Sequence, residues 1–407
     1  MSKFIVAGGG IGGLATALSI ARRGHRVEVL ERNEEFAELG AGIQLAANAF
    51  SALSLLGVGA QVERTAVHVD ELTLWDGLSG RPLATMPAGE TYRRRFGNPY
   101  AVAHRGDLYA ALLQACREHE GVRLLGGRTV VGYENRPGSV TCHLSSGGRI
   151  TGDGLIGADG IRSAVRRQLL DDGEPQVSGH TIYRAVVPME GVPHELRWNT
   201  VSLWAGPDWH FVHYPIAGGR LLNLAVTCDD GATEAVAGAP VPEEQVRGRF
   251  PGLCETPRRL LELGRDWRTW VLCDRGPAPR WTEGRVVLMG DAAHPMLQYA
   301  AQGACTALED AVALGTLLDG CPEDRIPERF ERFHSVRHTR TAKVQQVSRW
   351  MGEALYHPSG AEAEARNAML AALGPEELFD AVSWVHSAPL DDVPEPTPAL
   401  AEPTALS

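Results

Sequence analysis

Apolar residues recur along the chain with two different periods. Phe4 to Ala7 is a short unbroken apolar run, Leu14 to Arg23 repeats its apolar positions at helical spacing with Leu18 and Ala21 on the same face, and Val27 to Leu30 is apolar again. That succession predicts a βαβ unit. Short β-rich runs with turns at Arg136-Pro137-Gly138 and Gly147-Gly148 lead to Gly154-Leu155-Ile156-Gly157, the pattern of a small meander. A further buried strand is expected at Val286 to Met289. Between these lies a different texture. ELTLWDGLSGRPLAT at 71–85 reads as a hairpin, and residues 180–228 hold several alternating runs ending in FVHYPIAGGRLLNLAVTC. An antiparallel sheet inserted between parts of the first domain is expected. After Gly320 the pattern is helical through about residue 385, and the tail from Ser387 is Pro-rich.

Length and composition narrow the class. A chain of 407 residues allows two or three domains with a sizeable core, and 44% hydrophobic with 22% charged residues argues against intrinsic disorder. The net charge of −11 argues against nucleic acid as a partner, because phosphate contacts need a basic field. An anionic substrate must then find local positive charge. The seven cysteines show neither CxxC nor CxxH spacing, so no zinc site or disulfide framework is indicated and a reduced, cytoplasmic location is expected. The N-terminus carries no apolar signal region, and no run of about 18 apolar residues occurs, so membrane insertion is not expected.

Gly8, Gly10 and Gly13 form G-x-G-x-x-G between the first strand and the first helix, the context in which this motif is informative. The first glycine permits a tight turn, the second lets backbone reach a pyrophosphate, and the third lets helix and strand pack closely. The helix N-terminus then holds the phosphates. Glu31 closes the second strand where an acid can accept hydrogen bonds from an adenosine ribose. A run of further βα units would point to NAD, whereas this chain turns to a hairpin and a meander. FAD is the favoured dinucleotide.

FAD carries a ribitol and a flavin ring that one βαβ unit cannot cover, so a second segment must contribute. RVVLMGDAAHPMLQYAAQGACTALEDA at 285–311 has the required parts. Gly290 removes a side chain at the strand end, and the Asp291 carboxylate can accept from a ribitol hydroxyl. A helix expected to begin near Ala301 and to run through Leu308, Ala311, Val312 and Gly315 aims its N-terminal amides at the same place. Gly303 and Ala304 let those donors approach the flavin ring, where the positive helix end favours the reduced anion.

GGGIGG, Glu31-Arg32, GAGIQ at 40–44, HRGDL at 104–108, GADGIRSAVR at 157–166 and GDAAHP together resemble the class A flavoprotein monooxygenases, the aromatic hydroxylases. The resemblance implies an α/β fold of the p-hydroxybenzoate hydroxylase type: a Rossmann-like FAD-binding domain in three parts (1–70, 98–175 and 271–325), an inserted antiparallel-sheet substrate domain in two (71–97 and 176–270), C-terminal helices (326–385) and a flexible tail (386–407). It implies non-covalent FAD, with NADH or NADPH as a transient reductant and a flavin C4a-hydroperoxide as the oxygen donor. It further implies cofactor contacts at Arg32, Gly42 and Gln44. Arg105, Asp159 and Asp291 then touch FAD or support its loops. Arg162 and Arg166 read as exposed helix arginines. A homodimer is suggested by resemblance only.

Oxygen transfer to a ring is easier on a phenolate than on a phenol, and a phenol of pKa about 10 is only ~0.1% ionised at neutral pH. A base is therefore useful, and histidine is suited to that task. In WHFVHY at 209–214, strand alternation puts His210, Val212 and Tyr214 on one face and Phe211 and His213 on the other. HFVHYPIAGG with GDAAHPMLQYAAQGA is similar to the 3-hydroxybenzoate 6-hydroxylases, which make gentisate. That likeness implies that His210, Tyr214 and Gln298 line the substrate pocket, His210 and Gln298 assisting deprotonation and orientation of the phenol. Salicylate hydroxylases tend to carry proline at the place of Gln298, and His213 stands where glutamine is expected. His294 reads as structural, and Arg184 reads as either a partner for a substrate carboxylate or half of a buried ion pair.

The expected activity is oxygen insertion from O2 into a hydroxybenzoate, most readily para to its hydroxyl, with a small aromatic acid as substrate. Rivals are a salicylate, 6-hydroxynicotinate or aminohydroxybenzoate hydroxylase of the same class, and a non-catalytic flavin-binding sensor.

Overall fold

In the computed structural model, which describes residues 1–37, 40–250 and 252–387, the apolar runs at residues 4–7, 27–30, 154–157 and 286–289 lie side by side in one six-stranded sheet. The strand order is Thr282–Glu283, Val286–Leu288, Gly154–Gly157, Lys3–Ala7, Arg26–Leu30, Val122–Leu125. All neighbours are parallel except the first pair. Val6 pairs with both Val29 and Ile156, and Ile156 pairs with Val287. The inner strands are mostly apolar because helices cover both faces of such a sheet, and the charged Glu28 pairs with Lys3 at 3.0 Å. The edge strand Val122–Leu125 is additional to the runs read from the sequence. The tail from residue 388 lies outside the described residues.

The first helix, Ile11–Ala21, is rich in Leu and Ala and almost wholly buried. It packs on Gly303–Leu318 so closely that a Cβ on Gly315 would lie 2.1 Å from the Ser19 hydroxyl. Arg23 clamps the same contact, donating to Ser19 Oγ at 3.1 Å and Thr316 Oγ1 at 2.8 Å. The second of these helices starts at Gly303 and not near Ala301, because Ala301 adopts φ +53°, a left-handed conformation that no α-helix continues through.

The meander comprises Val130–Arg136, Ser139–Leu144 and Arg149–Gly152, all antiparallel, and its turns use Gly138 and Gly147 at positive φ. The inserted sheet has eight strands, and Gln176–Pro188, Leu221–Ala232, Trp209–Ile216 and Thr200–Gly206 form its centre. The hairpin Glu71–Asp76 with Pro82–Pro87 joins this sheet by a parallel pairing to Thr200–Gly206, which alternation alone cannot reveal. One face of the sheet is sealed by the helices Glu243–Arg249 and Glu255–Leu263 over Trp204, Trp209, Phe211, Leu260 and Trp267. The other face lines a cavity in part and packs on Phe379 in part.

A separate small sheet pairs Gly42–Leu45 with Ala101–His104, which also pairs with Val67–His68. It explains why GAGIQ and HRGDL occur in one chain, since Gly42 lies opposite His104 and Arg105 follows directly. Beyond Gly320 come Ile326–Trp350, a π-helical turn at Met351–Tyr356, and the helices Gly360–Ala371 and Pro375–His386.

Candidate active site

The glycine turn has the geometry its spacing requires. Gly8 has φ +105°, and a Cβ there would meet the Ala158 carbonyl at 2.2 Å. A Cβ on Gly13 would meet the Gly8 carbonyl at 2.0 Å, so helix and strand pack at glycine distance. At Gly10 nothing lies within 4 Å of an added Cβ, which leaves its backbone open to a ligand. Glu31 spans the mouth of the turn, one carboxylate oxygen accepting from the Gly9 amide at 2.9 Å and the other from Asn33 at 3.0 Å. Arg32 is exposed beside it on the same cavity wall.

The second segment approaches from the far side. Gly290 adopts φ +53° at the end of Val286–Leu288, and its amide donates to Asp310 at 3.1 Å. Asp291 is exposed to the cavity, and Gly303 and Ala304 form the first turn of the following helix along its wall. Behind this loop lies a buried charge cluster that the sequence reading missed. His294 meets Asp310 at 2.6 Å, Arg337 meets Asp310 at 2.8 Å and Glu309 at 2.6 Å, and Arg340 meets Glu309 at 2.7 Å. Asn48 joins it, donating to Gln302 at 2.9 Å and Glu309 at 2.6 Å. Burial opposes ionisation of Asp310, yet His294 and Arg337 outweigh it and hold the carboxyl well below the usual range. The available signal was two adjacent acids inside the apolar helix LEDAVAL, facing two arginines three positions apart. His294 is a structural member of this cluster.

Asp159 supports a loop. Its carboxylate accepts from the Ser163 hydroxyl and from the amides of Ala164 at 2.8 Å and Val165 at 3.3 Å, capping the helix Ala164–Leu170. Arg166 is not an exposed helix arginine. It is 2% exposed, pairs with Asp172 at 2.6 Å, and donates to the carbonyls of Ala292 and Ala293 at 3.0 and 2.8 Å. Helical periodicity places it on the inner face, where a buried guanidinium ties GADGIRSAVR to GDAAHP. Arg162 lines the cavity.

A cavity of about 1310 Å³ runs from the Gly8 turn past Arg105 and Asp291 to His210, Tyr214 and Gln298. A small-molecule site is usually ~300–1,000 Å³, so this space suits a dinucleotide with a substrate beside it. The open backbone at Gly10, the Glu31 carboxylate and the left-handed Gly290 fit FAD. Gly42 and Gln44 also face this space. Gly42 donates to Asn223 at 2.8 Å, and a Cβ on it would lie 2.6 Å from the Tyr214 hydroxyl. Gln44 accepts from Tyr100 at 2.6 Å.

The cavity floor is a grid fixed by strand register. Arg184 pairs with Ala225, which pairs with Val212; His210 pairs with Thr227, and Tyr214 with Asn223. Gln298 reaches this grid from the loop above, donating to Thr227 at 3.4 Å and accepting from Arg184. His210, Tyr214 and Gln298 are thus brought together. Arg184 forms no ion pair with an acidic side chain among the described residues, and its Nε is buried with no partner. Burial lowers its pKa, opposed by Tyr214 nearby. Burial pushes the Tyr214 hydroxyl up to about 12. His210 is held well below the ordinary histidine value by burial, with His357 and His180 adding to the effect. Its Nδ1 lies 2.7 Å from Nε2 of His357. His213, on the opposite face, is held at about 3 by burial, and neither ring nitrogen has a partner. Among the described residues no cluster could hold a metal ion.

A parallel βαβ sheet with a glycine turn, a second strand end returning to the same cavity, and an antiparallel floor bearing a histidine and an arginine define a flavin-dependent oxidoreductase. Residues 1–348 match the FAD binding domain family. The chain is 45% identical to 3-hydroxybenzoate 6-hydroxylase 1 of Aquipseudomonas alcaligenes, over 95% of this chain and 97% of that one. It is 44% identical to 3-hydroxybenzoate 6-hydroxylase of Polaromonas naphthalenivorans (strain CJ2), over 94% and 95%. A salicylate hydroxylase solved as a substrate complex superposes with a TM-score of 0.82 at 28% identity, covering 96% of each chain. The chain belongs to this family of FAD-dependent aromatic hydroxylases. Among the described residues no helix is long and apolar enough to cross a membrane.

Proposed function

We propose that this enzyme converts 3-hydroxybenzoate to gentisate, placing one oxygen from O2 para to the substrate hydroxyl at the expense of NADH or NADPH. The observation that carries the reading is the cavity grid: an arginine without an acidic partner and a neutral histidine face one space two strands apart, roughly 10 Å at ordinary strand spacing. Those are the two groups that a hydroxylated benzoate needs. Bound FAD supplies the redox chemistry, accepting hydride and activating O2. Gly8, Gly10, Gly13, Glu31, Arg105 and Asp291 hold it, with Gly303 and Ala304 directing backbone donors at its ring.

The side chains of the floor do the rest. Arg184 takes the substrate carboxylate with its unpartnered Nε, and Tyr214 donates to the same group. His210, with Nδ1 committed to His357, offers Nε2 to the phenol, and Gln298, oriented by Arg184, fixes the ring. Ionising a phenol of pKa about 10 at neutral pH costs ~4 kcal/mol, which a positioned acceptor and a nearby cation reduce. The seven cysteines are all free, which favours a cytoplasmic location, and a homodimer is the assembly we infer from family likeness.

The test is direct. The FAD-loaded chain should consume NADH faster when 3-hydroxybenzoate is added, and the product should gain one oxygen without losing CO2. CO2 release with salicylate would replace this reading by a decarboxylating one, and no turnover across a hydroxybenzoate panel would remove it.

A further inference from the structure

A proton accepted by His210 cannot stay there. The ring is buried and strongly biased toward its neutral form, so a base in this place must pass the proton onward. A row of side chains leads away from it. His210 Nδ1 meets His357 Nε2 at 2.7 Å. The His357 ring lies 5.2 Å from His180 and 5.8 Å from Tyr299, centroid to centroid, and its Nδ1 is buried with no partner. Tyr299 Oη is hydrogen-bonded to His180 Nδ1, and His180 Nε2 lies 3.5 Å from the Asp229 carboxylate. Asp229 is 48% exposed at its side chain. His180 also borders a second, small cavity of about 210 Å³ with Ser178, Asp274 and Glu353.

We propose that His357, Tyr299, His180 and Asp229 form an outlet that carries the substrate's phenolic proton from His210 to solvent. The proposal rests on the reading of the cavity as a phenol site. Proton bookkeeping closes without oxidant or reductant. The phenol O–H breaks and His210 Nε2 takes the proton; His210 Nδ1–H passes to His357 Nε2, His357 Nδ1–H to Tyr299 Oη, the Tyr299 hydroxyl proton to His180 Nδ1, and His180 Nε2–H to Asp229 and water. Each ring ends neutral in its other tautomer, and the only new charge is the phenolate, inside a cavity that holds the Arg184 cation. Two junctions are not hydrogen-bonded at rest, the one at His357 Nδ1 beside the Tyr299 ring and the one between His180 Nε2 and Asp229 at 3.5 Å, and the relay requires ring movement to close both. The neighbouring carboxylates are committed elsewhere, Asp230 to Arg249 at 3.4 Å and Asp274 to Arg349. Asp229 has no arginine partner among the described residues and lies 3.5 Å from His180 Nε2, whereas Glu353 only borders the same small cavity, so Asp229 is the surface acceptor.

His357, Tyr299, His180 and Asp229 act through His210 and are positioning residues, so proton release is the informative measurement. The FAD-loaded oxidised enzyme is mixed with 3-hydroxybenzoate in weak buffer with a pH indicator, in a stopped-flow instrument. The parent should release a proton as phenolate absorbance appears. His357→Ala should bind 3-hydroxybenzoate at equilibrium but release its proton about tenfold more slowly or worse, with free imidazole restoring the rate. Asp229→Asn, a surface change that spares folding, should slow release without altering affinity. Release at the parental rate in both variants overturns the outlet and leaves the phenol reading intact. A parent that binds the phenol and releases no proton overturns both.

Discussion

The Glu31 carboxylate accepts a hydrogen bond from the Gly9 amide at 2.9 Å, closing the end of the second strand over the glycine turn. The acid therefore shapes the turn, and on the proposed reading it also presents oxygen to a ribose. Glu31→Ala should weaken FAD binding by roughly tenfold or more, the usual worth of a hydrogen bond to a charged group. Flavin fluorescence titration of the apoprotein measures it; unchanged affinity would separate Glu31 from the cofactor.

Arg184 should govern substrate affinity through the carboxylate. Arg184→Met is expected to raise KM for 3-hydroxybenzoate by about 100-fold, in the range for a lost buried charge pair. With a phenol that lacks the carboxylate, such as 3-methylphenol, the loss should be clearly smaller, since only the orientation of Gln298 and the charge beside the phenolate are then affected. A similar loss with both compounds would point to a general packing defect.

Asp310 couples the flavin loop to stability and pH. Its folded carboxyl is held at about 2 by His294 and Arg337 against burial, below the unfolded value of about 3.9. A depressed carboxyl stabilises the fold above its unfolded pKa, and that contribution is lost as pH falls through the folded value. Thermal unfolding should therefore drop steeply between about pH 4 and pH 2 in the parent. Asp310→Asn should cost about 3 kcal/mol or more at pH 7, because it leaves the Arg337 charge buried with one partner fewer, and should flatten this acid limb.

His213 shifts stability with pH in the same direction, for a different reason. Burial holds it at about 3, below the unfolded value of about 6.5, so the unfolded chain binds the extra proton and stability falls as pH drops between these values. Its ring lies among Trp198, Trp204 and Phe211 with both nitrogens unpartnered. His213→Leu should gain roughly 1 kcal/mol at pH 7 and more at pH 5.5. Urea denaturation at the two pH values decides; equal destabilisation at both would mean that ring packing outweighs the buried nitrogens.

What the sequence disclosed was local. The glycine turn, the meander turns and the alternation of WHFVHY are each decided within a few residues, and all three have the expected form. Features made by distant partners were not disclosed. The parallel docking of the 71–87 hairpin needs knowledge of its neighbour, Thr200–Gly206. Arg166 reads as a surface residue until the Ala292 and Ala293 carbonyls are placed over it. His357 and His180 stand in unremarkable contexts, and only the π-helical turn and the register of His180 against Asp229 carry them toward His210.

The order of strands in the parallel sheet has a consequence for biosynthesis. Lys3–Ala7 is made before the other strands of its sheet, yet its neighbour Gly154–Gly157 and the next strand, Val286–Leu288, come far later. The bed that receives Ile11–Ala21 is built by Gly303–Leu318, later still. For most of translation the leading segment thus waits with open strand edges and an uncovered apolar helix, the condition in which nascent chains stick to one another. Slow elongation at low temperature with abundant chaperone, and no truncation before residue 318, are the circumstances under which this polypeptide should mature.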